Sequence, residues 1–224
     1  MTPIADEIYL LPTEFIDSDH SLVQAFAHQH APASLSPLAQ AQALYYAVRD
    51  GFRYEPYQAD LRREALKASH LLGRNYGYCI EKAILLAAAA RAVGIPSRLG
   101  FGNVRNHIAT EKLEEKLQTN VMVFHGYTEL FLENKWVKAT PAFNQSLCER
   151  LRVMPLEFDG QSDSVFQEFT PNGQKHMEYV HEYGTFADMP YDLYIQSLQT
   201  HYPHLFANRV ELEHYGLFSL FPSK

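Results

Sequence analysis

Asn75-Tyr-Gly-Tyr-Cys-Ile-Glu-Lys82 carries a cysteine into the first turn of an apolar helix. Free backbone N–H groups and the positive end of the helix dipole meet at such a position. A thiol there is expected to be stabilised as thiolate, the nucleophilic form. The plainer alternative is that Cys79 is a small buried residue, as most free cysteines are. Nucleophilic chemistry needs a base to take the thiol proton and a third group to orient that base. His125 is placed to be the base, because it follows the strand Asn120–Phe124 and opens a β-hairpin. The return strand Trp136–Ala139 brings residues 139–141 back towards His125, where an orienting group is expected.

The elements that must hold these groups read as follows. Ser36-Pro37 opens a helix, with Ser as N-cap and Pro at the first helical position. Its apolar face is Leu38, Ala41, Leu44, Tyr45 and Val48, and it ends near Asp50-Gly51. Phe52–Tyr57 is a short extended stretch, and Asp60 is expected to cap a second helix over Leu61–Leu72. Ile80–Val93 is apolar nearly all round, the mark of a helix buried on most sides, and Gly94 and Pro96 stop it. Ser97–Val104 reads as a strand whose glycines signal a bend or a close contact. Residues 111–118 read as a solvated helix of mixed charge. Tyr127–Leu132 alternates as a half-buried strand does, with a turn at Glu133–Lys135.

The outer parts carry weaker patterns. Ile8–Leu11 is expected as a strand, residues 155–190 as loops including a turn at Asn172-Gly173-Gln174, and Tyr191–Tyr202 as a helix. The apolar tail Leu217–Phe221 is expected to pack on the domain.

Composition bounds the function. The 224 residues are 46% hydrophobic and 20% charged, with a net charge of −7, which argues against a nucleic-acid or anionic-membrane partner. Two cysteines, Cys79 and Cys148, fit a reducing compartment, and Cys148 reads as a structural thiol. Residues 1–7 lack a basic and then apolar leader pattern, and no apolar run is long enough to span a bilayer, so a cytoplasmic protein is expected. His20, His28 and His30 lack companions at ligand spacing, so no metal or other cofactor is expected. His107, His176 and His181 read as surface or structural residues.

Several motifs together resemble the transglutaminase-like superfamily of papain-type cysteine enzymes, of the bacterial single-module kind. They are Gly77-Tyr-Cys-Ile-Glu-Lys-Ala83, Leu86–Ala92, Gly94-Ile-Pro-Ser-Arg-Leu-Gly100, His125-Gly-Tyr-Thr-Glu129 and Trp136-Val-Lys-Ala-Thr-Pro141. Each is weak alone; the ordered set, spanning residues 36–144, is specific. The resemblance implies Cys79 as nucleophile and His125 as general base. The family's third residue is an Asp before a Pro on the return strand, and here that position is Thr140. A hydroxyl can accept from an imidazole N–H, but it cannot balance an imidazolium charge. Asn144, Asp159 and Asp163 are substitutes to inspect, Asn144 first. Tyr54, Tyr76 and Tyr78 are candidate oxyanion donors beside the N–H of Cys79. Glu129 and Trp136 stand in the matched motifs as a supporting carboxylate and a shield over the pair. Their plainer alternatives are a solvent-face carboxylate and hairpin core.

The expected fold is α+β, with N-terminal helices, including a buried nucleophile helix, packed on an antiparallel sheet in a papain-like layout. One domain is expected over 1–224, with its core at 36–144 and residues 145–224 as an extension packed on that core. Two functions follow. One is a cysteine hydrolase or acyl transferase acting on a peptide or protein amide. The other is a binding module whose chemistry lapsed with the Asp-to-Thr departure. A zinc site on Cys79 is a third, weaker reading.

Overall fold

The computed structural model describes residues 7–107, 111–166 and 177–206. Expectations for Asn172–Gln174, His176 and the tail Leu217–Phe221 lie outside the described residues. The chain forms helices α1 (Ser21–His30) and α2 (Pro37–Gly51), strand β1 (Arg53–Tyr54), helix α3 (Ala68–Leu71), strand β2 (Tyr76–Gly77) and helix α4 (Cys79–Ala92). Strand β3 (Ser97–Asn106), helix α5 (Glu111–Leu117), strands β4 (Val121–Leu132) and β5 (Lys135–Ala139) and helix α6 (Gln145–Leu151) follow. Strand β6 (Met177–Phe186) and helices α7 (Tyr191–His201) and α8 (Pro203–Phe206) complete it.

The architecture is α+β. An antiparallel sheet has the order β5-β4-β3-β6. Helix α4 lies across β3 and β4, and α1, α2 and α3 pack on its other sides. This central position explains its composition, since every side chain from Cys79 to Arg91 is buried. Alanines at 87–90 let neighbouring backbones come close. The helix ends as its sequence requires: Gly94 takes φ +80°, and the N–H of Ile95 returns to the carbonyl of Ala90 at 2.9 Å.

Lys82 ties this helix to its surroundings. It is fully buried, and its ammonium donates to the carbonyls of Arg49 (2.8 Å), Phe52 (2.8 Å) and Ala142 (2.7 Å). The end of α2, the strand after it and the turn before α6 thus meet on one side chain. Ser36 caps α2 by accepting from the N–H of Ala39 at 3.3 Å.

The glycines of β3 mark close contacts. Gly100 pairs with Tyr127, whose ring occupies the space that a Cβ at Gly100 would take. A Cβ on Gly102 would stand 3.0 Å from the Tyr179 ring. Gly100→Ala is therefore expected to displace Tyr127 and lower the melting temperature; an unchanged temperature would contradict this packing.

Three expectations are corrected. Residues 8–11 are not a strand; Glu7–Tyr9 is a single 3-10 turn with no buried residue, so nothing there pairs into the sheet. Leu61–Leu72 is not one helix but a 3-10 turn, Arg63–Leu66, followed by α3. The chain bends at Lys67, which is extended at φ −64°, ψ 143°, while Asp60 caps only the N–H of Arg62 (3.0 Å). Residues 177–186 are a sheet strand rather than loop. Half of β6 is exposed at the sheet edge, so its sequence lacks the alternation that marks a half-buried strand.

Candidate active site

Cys79 is the first residue of α4, and backbone geometry brings it there. Short parallel strands β1 and β2 pair Tyr54 with Gly77, which sets the loop before the helix. The carboxylate of Glu81 accepts the N–H of Tyr78 at 3.0 Å and pairs with the Arg74 guanidinium, closing the first turn. The backbone N–H groups of Gly126 and Ile80 and the Tyr54 hydroxyl face the sulfur and favour its thiolate. Residue 126 immediately follows His125, so α4 and β4 meet at the 125–126 peptide. Of the three tyrosines considered as donors, Tyr54 is the one at the sulfur. Tyr78 borders the same cleft, but its hydroxyl is engaged by that of Tyr194 at 3.1 Å.

His125 follows an irregularity in the sheet. The β3–β4 register shifts between Gly102 and Val104, and Phe124 takes φ +61°. Asn103 patches the gap by accepting the N–H of Phe124 at 3.0 Å. Bulges of this kind re-aim the side chains beside them. Beyond the bulge, Gly126 and Thr128 face α4: a Cβ at Gly126 would stand 3.1 Å from Ile80, and Thr128 donates to the Ala83 carbonyl at 2.8 Å. Alternation then puts His125, Tyr127 and Glu129 on the opposite face. The imidazole is 1% exposed and lies edge-on to Phe166, with ring centroids 5.0 Å apart. Neither ring nitrogen has a hydrogen-bond partner among the described residues.

The electrostatics differ from the expected thiolate. Burial pushes the Cys79 thiol up to about 11, against the downward pull of the two N–H groups and Tyr54. Burial alone pulls His125 down to about 3. Full desolvation disfavours both charged forms and outweighs the helix N-terminus. Cys79 therefore rests as a neutral thiol and His125 as a neutral imidazole. Alkylation of Cys79 by iodoacetamide should therefore rise about tenfold per pH unit between pH 7 and 10, following the thiolate fraction. A flat rate from pH 5 to 8 would instead indicate a preformed ion pair. Tyr54→Phe removes a pull that lowers the thiol pKa, so it should slow this alkylation at pH 8.

The other expected residues fall in different places. Thr140 is buried; its N–H donates to the Ser164 carbonyl at 3.0 Å, but its hydroxyl has no partner among the described residues. Asn144 does not orient His125. It accepts the N–H of Tyr54 at 2.9 Å and donates to Ser146 at 2.8 Å, and so anchors the backbone that presents the Tyr54 hydroxyl. Asp159 accepts from its own turn, at Gln161 and Ser162, and Asp163 accepts the N–H of Lys138. Glu129 pairs with Arg98 at 2.6 Å, and Arg98 covers Trp136, with its guanidinium 4.1 Å from the ring centroid. Trp136 packs edge-on to Phe131 and Tyr9. It pairs with Phe131, six residues along β4 from His125, or about 20 Å, and does not shield the pair. Cys148 is a buried free thiol in α6. His28 bonds the Gln24 carbonyl, His20 caps α1, and no three His, Cys, Asp or Glu side chains gather at metal-binding spacing among the described residues.

A cleft of about 70 Å³ opens at Cys79, between α5, α7 and the start of β4. Tyr54, Pro56, Leu117, Phe124, Tyr194 and Leu198 line it, and no charged side chain does. Its tyrosine hydroxyls are engaged: Tyr78 with Tyr194, Tyr202 with the backbone of Val121 and Val123, and Tyr54 with the sulfur.

A sequence model of the transglutaminase-like superfamily matches residues 24–141, more than half of the chain and all of the Cys79–Thr140 region. The chain belongs to the transglutaminase-like superfamily. Among solved structures, a candidate cysteine protease from Cytophaga hutchinsonii shares the fold at a TM-score of 0.51 and 18% identity. That match covers 83% of this chain and 48% of the Cytophaga protein, so this transglutaminase-like chain spans about half its length. A candidate protease from Parabacteroides distasonis aligns at a TM-score of 0.35 and 14% identity, over 57% of this chain and 26% of the other. No curated protein matches the sequence. Among the described residues, no helix is long and apolar enough to cross a membrane.

Tyr179 was not legible as a site residue. It lies on the edge strand that reads as loop, and its ring reaches Gly102 only through long-range pairing of β6 with β3.

Proposed function

We propose that this chain is a cysteine amide hydrolase in which Cys79 attacks a peptide or related amide carbonyl and His125 is the general base. The observation that carries this reading is the sulfur itself. It sits at a helix N-terminus, faced by Gly126 N–H, Ile80 N–H and the Tyr54 hydroxyl, on the wall of an apolar cleft. Both groups rest neutral, and strand alternation turns the imidazole to the face away from α4. This reading therefore requires His125 to reach the sulfur past the 125–126 peptide. The proton then passes from sulfur to imidazole as the S–C bond forms. The tetrahedral oxyanion is met by N–H groups at the start of α4 and by Tyr54. Collapse breaks the C–N bond, the imidazolium returns its proton to the leaving amine, and a Cys79 thioester remains. Water, activated by His125, then releases the acid. Cysteine protease is also the class named for the Cytophaga hutchinsonii protein of the same fold.

The uncharged cleft favours an aliphatic or aromatic group beside the scissile carbonyl. A panel of acyl-peptide aminocoumarins tests this. Turnover is expected with Leu or Val next to the scissile bond and not with Asp or Lys, with a thioester mass on Cys79 that Cys79→Ala abolishes. Absence of both adduct and turnover across the panel would refute the hydrolase.

A second reading is a binding module without turnover. It is favoured by the missing carboxylate and the unpartnered imidazole. It predicts that Cys79→Ala binds the same peptides as the wild type, with no adduct in either.

A further inference from the structure

Seven buried side-chain nitrogen and oxygen atoms lack a hydrogen-bond partner among the described residues. Three are scattered, on Thr13, Arg74 and Arg91. The other four are both ring nitrogens of His125, the hydroxyl of Thr140 and the hydroxyl of Tyr179. These three residues converge on one face of the sheet. His125 pairs with Gly102, and the Tyr179 ring lies over Gly102. Thr140 is one step past Ala139, the residue paired with Thr128, so it continues the Trp136–Lys138 face beside Tyr127 and His125. The Tyr179 hydroxyl interacts with the Thr140 hydroxyl and lies within electrostatic reach of Cys79, although neither hydroxyl completes a well-formed hydrogen bond.

We propose that the paired hydroxyls of Thr140 and Tyr179 orient His125 in place of a carboxylate, with Tyr179 as a positioning residue. The inference rests on the reading of Cys79 and His125 as nucleophile and base. One imidazole nitrogen donates its N–H to Thr140, and Tyr179 donates to the same Thr140 oxygen from the other side. The remaining ring nitrogen is thereby left unprotonated and free to take the thiol proton. The link is uncharged, so it selects a tautomer without stabilising an imidazolium. Hydrogen bonds of a catalytic group are often long before substrate arrives and tighten as it binds.

A purely structural role predicts the same stability but differs at His125. Unpartnered buried hydroxyls are destabilising, so replacing them with isosteric apolar groups would leave stability unchanged or raise it and would leave His125 unaffected. The test is therefore Tyr179→Phe and Thr140→Val in the full chain, with three readouts. Melting temperature reports folding. The ¹⁵N resonances of the His125 ring report its tautomer. The rate of Cys79 alkylation at pH 8, and kcat on any turned-over peptide, report function. We expect an equal or higher melting temperature, a shifted tautomer balance in both variants, and kcat lowered about tenfold at unchanged KM, as loss of one orienting hydrogen bond implies.

Unaltered His125 resonances in folded variants would overturn the proposal, as would an unaltered kcat where Cys79 forms an acyl-enzyme. The hydrolase reading fails separately. If Cys79→Ala keeps every activity while Tyr179→Phe still shifts the His125 tautomer, the orienting role stands and the catalytic one falls.

Discussion

Lys82→Met will destabilise the protein by roughly 3–5 kcal/mol, because it strands three buried carbonyls that now share one ammonium. The carbonyls belong to Arg49, Phe52 and Ala142. Methionine fills the volume but donates nothing. Denaturant unfolding followed by the fluorescence of Trp136, the one tryptophan in the sequence, measures the loss. A loss below about 1 kcal/mol would show that the three segments hold together without Lys82. The pH dependence has a definite sign. Burial pulls Lys82 down from 10.5 to about 7, with Asp50 pulling upward. Between those values the unfolded chain binds more protons than the folded one, so stability rises with pH. The wild type should therefore gain on Lys82→Met as pH climbs through that window. Because Lys82 lies in the same turn as Cys79, the variant should also change the alkylation rate of Cys79.

Thr140→Asp is expected to accelerate alkylation of Cys79 at pH 7 by roughly ten- to a hundredfold, the effect of an opposite charge placed a few ångströms from an ionisable group. A carboxylate at 140 restores to His125 the charge partner that the hydroxyl cannot supply. The imidazole then rises from about 3 towards its ordinary value. Once protonated, it pulls the thiol down from about 11. The thiolate fraction at neutral pH grows accordingly, and the rate becomes flatter with pH. Quantitative mass spectrometry that separates Cys79 from Cys148 measures the rate, and titration of the His125 ring resonances measures the imidazole. The folded variant is expected to be less stable than the wild type at low pH, where protonation of the new Asp leaves its partner unmatched. An unchanged alkylation rate with a His125 pKa still below about 4 would mean that residue 140 does not act on the imidazole.

How much of this was legible depended on whether the signal was local. Helix α4, its stop at Gly94, the cap at Ser36 and the turn at Glu133–Lys135 were readable because each follows from a few neighbouring side chains. The expected break at His125 was not, since Val121–Leu132 is one bulged strand with His125 inside it. So were the close contacts at Gly100 and Gly102, since glycine in a strand announces a crowded backbone. Edge strand β6 was not readable. It pairs with β3 across a long stretch of chain and is exposed on half of its length, so burial imposed no alternation on it.

The candidate site divides along the same line. The amino-acid order alone singled out the candidates for the chemistry, Cys79 at a helix start and His125 downstream, and showed that Thr140 stands where a carboxylate is expected. It also placed Tyr54 among the donors without separating it from Tyr76 and Tyr78. Only the tertiary structure decided the rest. The β1–β2 pairing and Asn144 bring Tyr54, not Tyr78, to the sulfur. The sheet face brings Tyr179 to Thr140. Burial on their own sides of the sheet disfavours the charged form of both Cys79 and His125. A sequence specifies an ionisable group, but its charge is set by desolvation, and desolvation is a property of everything packed around it.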